Sequence, residues 1–314
     1  MSEVMTTTAE TFIQVSEIWV PEGGMLVHKS GSYGGLAEFE AASRSESFGK
    51  GEGLPGKAWA EGRPVVLKEF DGSYFKRTEA AKEAGLTAAV AIPVFAGDVL
   101  KAVLVILCGD DAIRTGAIEL WSQENDLLML QDGYYGAARH FEWVSQHTHF
   151  PKGQGLPGGV WAAKAPILMR DLGTGYAFIR AESAGRAGLT TGLGLPVPGP
   201  DGVTRVLTLL SARGTPIARR FEIWTVSPAR NAAGPDGTLI DGICEREGPL
   251  APKHNPPVDA LRTGAWHGPV GQVLGTGMPH VQAGPAGLPA GYRLFVALPV
   301  YRGAELAFIV AWYL

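Results

Sequence analysis

Three residues near the middle of the chain are histidines, whose imidazole side chains can bind transition metals. They are His140, His147 and His149. If the segment from His147 to His149 is extended, both of its imidazoles lie on one strand face, at a spacing that a metal could use. No nearby carboxylate or cysteine completes the set. The segment therefore predicts either a metal site at His147 and His149 or the polar wall of a pocket, because a short motif alone does not decide.

Two arginines stand beside aromatic residues at corresponding places in the chain. Arg180 follows Tyr176 and Phe178, and Arg77 follows Phe75. A guanidinium among aromatic rings can hold a carboxylate or a phosphate. The alternative is a solvated helix start. Together with Trp161 and the three histidines, these five residues form the set of candidate ligand-binding residues.

Internal repetition decides which elements must position these residues. The stretch Gly53-Leu54-Pro55-Gly56-Lys57-Ala58-Trp59 returns as Gly155-Leu156-Pro157-Gly158-Gly159-Val160-Trp161, and more weakly as Gly268-Pro269-Val270-Gly271-Gln272-Val273-Leu274. A Glu-x-Trp signature precedes each copy, and a Pro-Val strand follows it, at a common period of about 100 residues. The chain is therefore predicted to contain three units, at residues 1–110, 111–213 and 214–314, with the third degenerate.

Each unit is predicted to be α+β. Strands are expected at Gln14–Val20 and Met25–His28, with a further strand at Ala37–Arg44 and its counterpart at Arg139–Gln146. The Gly-Leu-Pro-Gly stretch should open a short helix whose tryptophan packs in the core. The glutamates of the Glu-x-Trp signature are expected to point away from that core. A longer helix ends at Gly85 or Gly188, and prolines argue against this helix in the third unit.

This order of elements resembles the GAF domain. The resemblance rests on Phe48-Gly49-Lys50-Gly51-Glu52-Gly53-Leu54-Pro55-Gly56, Ala84-Gly85-Leu86 and Ala91-Ile92-Pro93-Val94, and on the matching segments of the second unit. It implies a central antiparallel sheet with short helices and a small-molecule pocket between the sheet and its cross-connecting loops. The segments holding Phe75 and Phe178 fall where that pocket is lined. Function still has to be argued from the site.

The chain departs from the GAF pattern at the ends of each unit. Family members normally carry long helices before the first strand and after the last, and here only short connections are available. An apolar sheet face must pack against something. We therefore expect the three sheets or their neighbouring elements to cover one another in a compact pseudo-threefold body. The last strand ends the sequence, so no output domain is expected after it.

Composition excludes several classes of protein. The chain has 314 residues, of which 46% are hydrophobic and 18% charged, with a net charge of −4 and two cysteines. There is no clustered basic stripe for nucleic acid and no apolar run long enough for a membrane span. Two cysteines cannot make a disulfide framework. A cytoplasmic chain, weakly preferred as a monomer, is expected.

The sequence therefore predicts a non-catalytic sensory or regulatory protein that binds a small molecule and depends on a protein partner for its output. It identifies no cofactor. The alternatives are a metal-dependent protein or enzyme that uses the second unit's histidines, and a structural or partner-binding scaffold whose pockets are filled by side chains.

Overall fold

The computed structural model describes residues 11–174, 177–229, 234–250 and 262–314. The first unit contains β1 (Ile13–Glu22), β2 (Met25–Ser32), α1 (Ala37–Arg44), β3 (Ser47–Gly49), α2 (Gly53–Glu61), β4 (Val65–Leu67), α3 (Thr78–Glu83), β5 (Leu86–Ala96) and β6 (Val99–Gly109). The second contains β7 (Thr115–Glu124), β8 (Leu127–Gly136), α4 (Arg139–Gln146), β9 (Phe150–Pro151), α5 (Gly155–Ala163), β10 (Ile167–Arg170), α6 (Ala181–Arg186), β11 (Leu189–Pro196) and β12 (Arg205–Ala212).

The third unit contains β13 (Arg220–Ser227), β14 (Asp236–Cys244), β15 (Gly248–Pro249), β16 (Arg262–Gly264), α7 (Gly268–Thr276), β17 (His280–Ala283), β18 (Leu294–Arg302) and β19 (Glu305–Tyr313). Its described residues contain no helix between β17 and β18, as the prolines predicted. No helix in the described part of the chain is long and apolar enough to cross a membrane.

The three sheets share one strand order. The first runs β3-β2-β1-β6-β5-β4, the second β9-β8-β7-β12-β11-β10 and the third β15-β14-β13-β19-β18-β17, with β16 added beside β14. Neighbouring strands are antiparallel throughout these sheets. The predicted α+β class, with a central antiparallel sheet in each unit, is confirmed.

Two predicted strands are helices. Ala37–Arg44 forms α1 and Arg139–Gln146 forms α4. The buried residues of α1 are Phe39 and Ser43, four apart, which is the helical period and not the alternation of a strand. Ser43 also donates its hydroxyl hydrogen to the Phe39 carbonyl oxygen at 2.7 Å. The strand prediction was wrong because each of these helices buries only one Phe and one Ser, which is too little apolar pattern to show the helical period.

The Gly-Leu-Pro-Gly stretch opens a helix in both full copies, as predicted. A Cβ on Gly56 would lie 2.0 Å from the Gly49 carbonyl oxygen, so this close approach requires glycine. Leu54 and Leu156 fill the core, whereas Trp59 and Trp161 are only half-buried at its edge. The helix therefore anchors through its leucine, and the prediction that its tryptophan is a core residue was wrong.

The three units share a central core in addition to the core that each unit has under its own helices. In β6, Leu104 and Ile106 face the shared core, while Val103, Val105 and Leu107 face the first unit's own core. Residues of the second and third sheets complete the shared core, among them Leu209 and Val310. Both faces of each sheet are thus buried, which confirms that the sheets cover one another.

Contacts between the units run in a circle. Strand β4 of the first unit lies against β8 of the second, and Lys68 Nζ is 2.9 Å from Asp132 Oδ1. At the corresponding place, Arg170 Nη2 of β10 is 2.5 Å from Asp241 Oδ1 of β14. Strand β17 of the third unit returns to β2 of the first. Each unit therefore contacts the next one through equivalent strands.

Candidate functional site

The glutamates of the Glu-x-Trp signature are buried, contrary to the prediction that they point outward. Glu17, Glu119 and Glu222 expose 0%, 0% and 1% of their surface. Residues two apart on a strand share a face, so each glutamate points to the same side as its tryptophan. In the first unit the Trp19 indole Nε1 donates to Glu17 Oε2 at 3.1 Å.

The Glu17 carboxylate is held by Arg77. Arg77 Nη1 donates to Glu17 Oε1 at 2.5 Å, and Nη2 donates to Oε2 at 3.0 Å. The guanidinium also donates to Ser43 of α1. Four rings surround it, with centroids 4.8–6.0 Å from its central carbon: Phe39, Phe75, Trp19 and Phe48. This buried pair lies between the sheet and its cross-connections, where the GAF resemblance places a ligand pocket.

The second unit repeats the arrangement with more hydrogen bonds. Arg180 donates to both oxygens of Glu119, and Thr208 Oγ1 donates to Oε2 at 2.9 Å. Burial alone would raise the pKa of the Glu119 carboxyl. The charge of Arg180 and hydrogen bonds from Arg180, Thr208 and Ser145 outweigh burial, so the pKa lies below its ordinary value. The carboxylate is therefore ionised and fully occupied by the protein's own groups.

The third unit achieves the same pairing from a different position. Arg220 Nε, two residues before Glu222 on β13, donates to Glu222 Oε1 at 2.7 Å. Trp224 Nε1 and Tyr313 Oη each donate to Oε2 at 2.9 Å. In the first two units the arginine stands at the start of a helix, whereas in the third it lies on the same strand as the glutamate. The carboxylate has a cationic partner in all three units.

Four of the candidate ligand-binding residues lie at these buried pairs. Arg77, Arg180, Phe75 and Phe178 are buried around their own glutamates, with exposed fractions of 3–5%. An internal glutamate occupies the place at each arginine where the sequence predicted the carboxylate or phosphate of a ligand, and because both arginines are buried the alternative of a solvated helix start is wrong. Tyr176 lies outside the described residues.

The candidate histidines lie on the surface of the second unit. His140 is in α4, and His147 follows its last residue, so the extended segment that would align His147 with His149 is not formed. His147 Nδ1 donates to the Trp143 carbonyl oxygen at 2.7 Å. Among the described residues, no group of three or more His, Cys, Asp and Glu side chains could hold a metal. The metal site remains an untested prediction.

An open cleft lies between the second and third units. Its volume is about 460 Å³, and the end of α5, the connection from β11 to β12 and the β18–β19 turn form its walls. Its side chains include Trp161, which the sequence singled out, together with Lys164, Arg205, Tyr301 and Arg302. The volume falls within the usual range for small-molecule pockets.

The cationic residues of this cleft differ in their partners. Arg205 forms a bidentate pair with Asp201, at 2.8 and 2.6 Å. Arg302 donates from Nη2 to the Lys164 carbonyl oxygen at 3.1 Å. Lys164 itself ends α5 in the left-handed region, with φ of 49°.

Sequence reasoning missed Lys164, Arg302 and the buried glutamates, although signals for some of them were present. Lys164 occupies the place that Gly62 and Gly277 hold after the other two copies of the helix. Residues two apart on a strand share a face, so the sequence alone could have placed each glutamate beside its tryptophan. The place of Arg302 in the cleft could not be predicted, because it depends on how the third unit packs against the second.

The family model of the GAF domain matches residues 1–122. A comparison with curated protein sequences returns no significant match.

Similar solved structures include the GAF domain of A. aeolicus nlh2 in an inactive state, at 27% identity over 31% of this chain and 58% of that chain, with a TM-score of 0.26. Another is the GAF domain of a phosphoenolpyruvate-protein phosphotransferase from Coxiella burnetii, at 19% identity over 31% and 56%, with a TM-score of 0.26. A third is a Staphylococcus aureus NreA protein mutated in its nitrate binding site, at 18% identity over 34% and 79%, with a TM-score of 0.27.

This chain spans a little over half the length of the first two of these structures. The profile match and the strand order of the first sheet agree with the resemblance carried by the sequence motifs. Residues 1–122 of this chain are therefore similar to the GAF domain family.

Proposed function

We propose that this protein is a non-catalytic regulatory protein that binds a small molecule between its second and third GAF-like units. The match of residues 1–122 to the GAF domain family supports a small-molecule-binding or regulatory fold. The proposal adds that the second and third units are copies of the same domain and that a partner protein supplies the output. The observation that carries it is the open cleft at Trp161, in a chain whose first two units have a buried arginine and aromatic rings over the sheet.

The filled pockets support this location. In the first two units, a buried arginine and four aromatic rings occupy the space over the Glu-x-Trp strand. A ligand entering there would have to separate a buried ion pair, which leaves uncompensated charge in a low-dielectric interior. The cleft between the units has no such obstacle, because its cations lie at an open wall.

The test is a thermal-shift screen of a metabolite library against the wild-type protein and two variants. Trp161→Leu changes the cleft to the residue type found at Leu274, and Trp59→Leu makes the same change at the matching place in the first unit. A ligand of the cleft should raise the melting temperature of wild type and Trp59→Leu, and of Trp161→Leu by much less. Equal shifts in all three proteins would place the ligand elsewhere.

The metal-dependent alternative needs a separate measurement. Elemental analysis by mass spectrometry on purified wild type and on His147→Ala/His149→Ala would detect a bound metal. A stoichiometric metal that the double variant loses would overturn the proposal.

The filled pockets also favour the third alternative, a scaffold that binds a partner protein. Its outcome in the screen is the absence of any compound that raises the melting temperature.

A further inference from the structure

We infer that the cleft between the second and third units binds an organic anion, with a flat apolar group against Trp161 and a carboxylate or phosphate group at Lys164 and Arg302. This inference rests on the proposed function and names the chemical class of its ligand. Three features of the cleft support it: its charge, the nature of its wall and its difference from the two equivalent junctions.

The charge of the cleft is positive, although the whole chain is acidic. Arg205 is neutralised by its bidentate pair with Asp201. Within the part of the chain that the structure describes, neither Lys164 nor Arg302 makes an ion pair. Arg302 stacks on the Phe308 ring at 4.9 Å, and among the described residues its only hydrogen-bond acceptor is the Lys164 carbonyl oxygen, which leaves most of its donors for another acceptor. Two cations at one opening favour an anion with several acceptor oxygens.

The wall of the cleft is mainly apolar and partly aromatic. The indole of Trp161 stands at one side, half-buried against the edge of the second unit's core. Val160, Pro196 and Pro198 extend the apolar surface. A flat apolar group stacked on an indole gains contact area and ring-to-ring attraction, while a small inorganic anion would leave this wall unused.

The two equivalent junctions are closed. After α2, a Cβ on Gly62 would lie 2.7 Å from Cδ of Pro200, because the connection from β11 to β12 packs directly on that helix end. After α7, the Tyr301 hydroxyl donates to the Gly277 carbonyl oxygen at 2.7 Å and occupies the corresponding space. Only after α5, among these three helix ends, does the structure show both an open cleft and a cationic residue.

Lys164 holds its position at a conformational cost. Its φ of 49° lies in the left-handed region, where Gly62 and Gly277 have φ of 63° and 65°. A side chain in this region is strained, and such strain is found at ligand sites more often than elsewhere. A lysine where glycine would fit better is consistent with a role for its ammonium group in the cleft.

The experiment uses two matched probes, 2-naphthoate and its neutral analogue 2-naphthamide, titrated by calorimetry against the full chain. We expect 2-naphthoate to bind at least tenfold more tightly than 2-naphthamide. Lys164→Gly and Arg302→Gln should each weaken 2-naphthoate by about tenfold, which corresponds to about 1.4 kcal/mol for one charged contact. Trp161→Leu should weaken both probes, and Trp59→Leu should change neither.

The outcomes separate the ligand class from the site. If 2-naphthamide binds as tightly as 2-naphthoate and Trp161→Leu weakens both, the proposed site stands and the anion inference is overturned. If neither probe binds, or if Trp161→Leu has no effect on binding, both the inference and the proposed site are overturned. The melting temperature of each variant confirms that it is folded, and Lys164→Gly should be at least as stable as wild type.

Discussion

At the scale of single residues, each unit has a buried glutamate paired with an arginine. The repeats place an arginine beside aromatic residues in two units, and the chemistry of the guanidinium predicts that it binds a carboxylate or a phosphate. The identity of the carboxylate could not follow from local sequence, because Glu17 and Arg77 are sixty residues apart and meet only in the folded unit. The same distance along the chain separates Glu119 from Arg180 within one residue.

Removing one partner of such a pair should destabilise the protein strongly. Glu119→Ala leaves the Arg180 guanidinium buried without its counter-charge, and we expect the free energy of unfolding to fall by about 3–5 kcal/mol. Glu119→Leu/Arg180→Met removes both charges and should recover most of that loss. Urea unfolding measures these changes.

The control for this prediction is Glu182→Ala, which breaks the exposed pair between Glu182 and Arg186. Its free energy of unfolding should change by less than about 1 kcal/mol. A loss for Glu119→Ala no larger than that of Glu182→Ala would contradict the importance of the buried pair.

The stability of the protein should also depend on pH through Glu119. Its pKa in the folded state lies below the ordinary value of 4.5. The ionised form therefore stabilises the fold fully above the unfolded pKa, and this contribution is lost as pH falls through the lower, folded pKa. Melting temperatures measured between about pH 7 and about pH 3 should fall more steeply for wild type than for Glu119→Gln. Parallel curves would show that Glu119 does not contribute to acid unfolding.

At the scale of elements, strands and the Gly-Leu-Pro-Gly helices were the most predictable features. The strands predicted at Gln14–Val20 and Met25–His28 lie within β1 and β2. Helices α1 and α4 were missed because each buries only Phe and Ser on one face, which is too little apolar pattern to distinguish a short helix from an edge strand. The end of α5 shows a further local effect, since a lysine occupies a position that suits glycine.

Lys164→Gly should therefore raise the free energy of unfolding, by about 1 kcal/mol, because glycine adopts positive φ without strain. Gly62→Ala at the equivalent end of α2 should do the opposite. Its Cβ would meet Cδ of Pro200 at 2.7 Å in addition to requiring positive φ. Urea unfolding of the two variants measures both changes in the free energy of unfolding. A destabilised Lys164→Gly would show that the lysine side chain contributes more to packing than its conformation costs.

At the scale of the whole molecule, the repeat predicted three units, and the lack of long terminal helices predicted that their sheets cover one another. The sequence could not show how the units meet. The circular order of contacts depends on pairs such as Lys68 with Asp132 and Arg170 with Asp241, which belong to different units. The cleft arises only from that arrangement, because Trp161 and Arg302 come from neighbouring units.

The central claim is that the three units form one body around a shared core, so that a ligand site can exist between them. Hydrogen exchange measured by mass spectrometry at increasing urea follows β6, β12 and β19 separately. We expect all three strands to lose protection at the same urea concentration. Leu209→Ala in the shared core should lower that concentration equally for all three, at a cost of about 2–5 kcal/mol. If β12 loses protection while β6 and β19 keep theirs, the units are independent and the claim is contradicted.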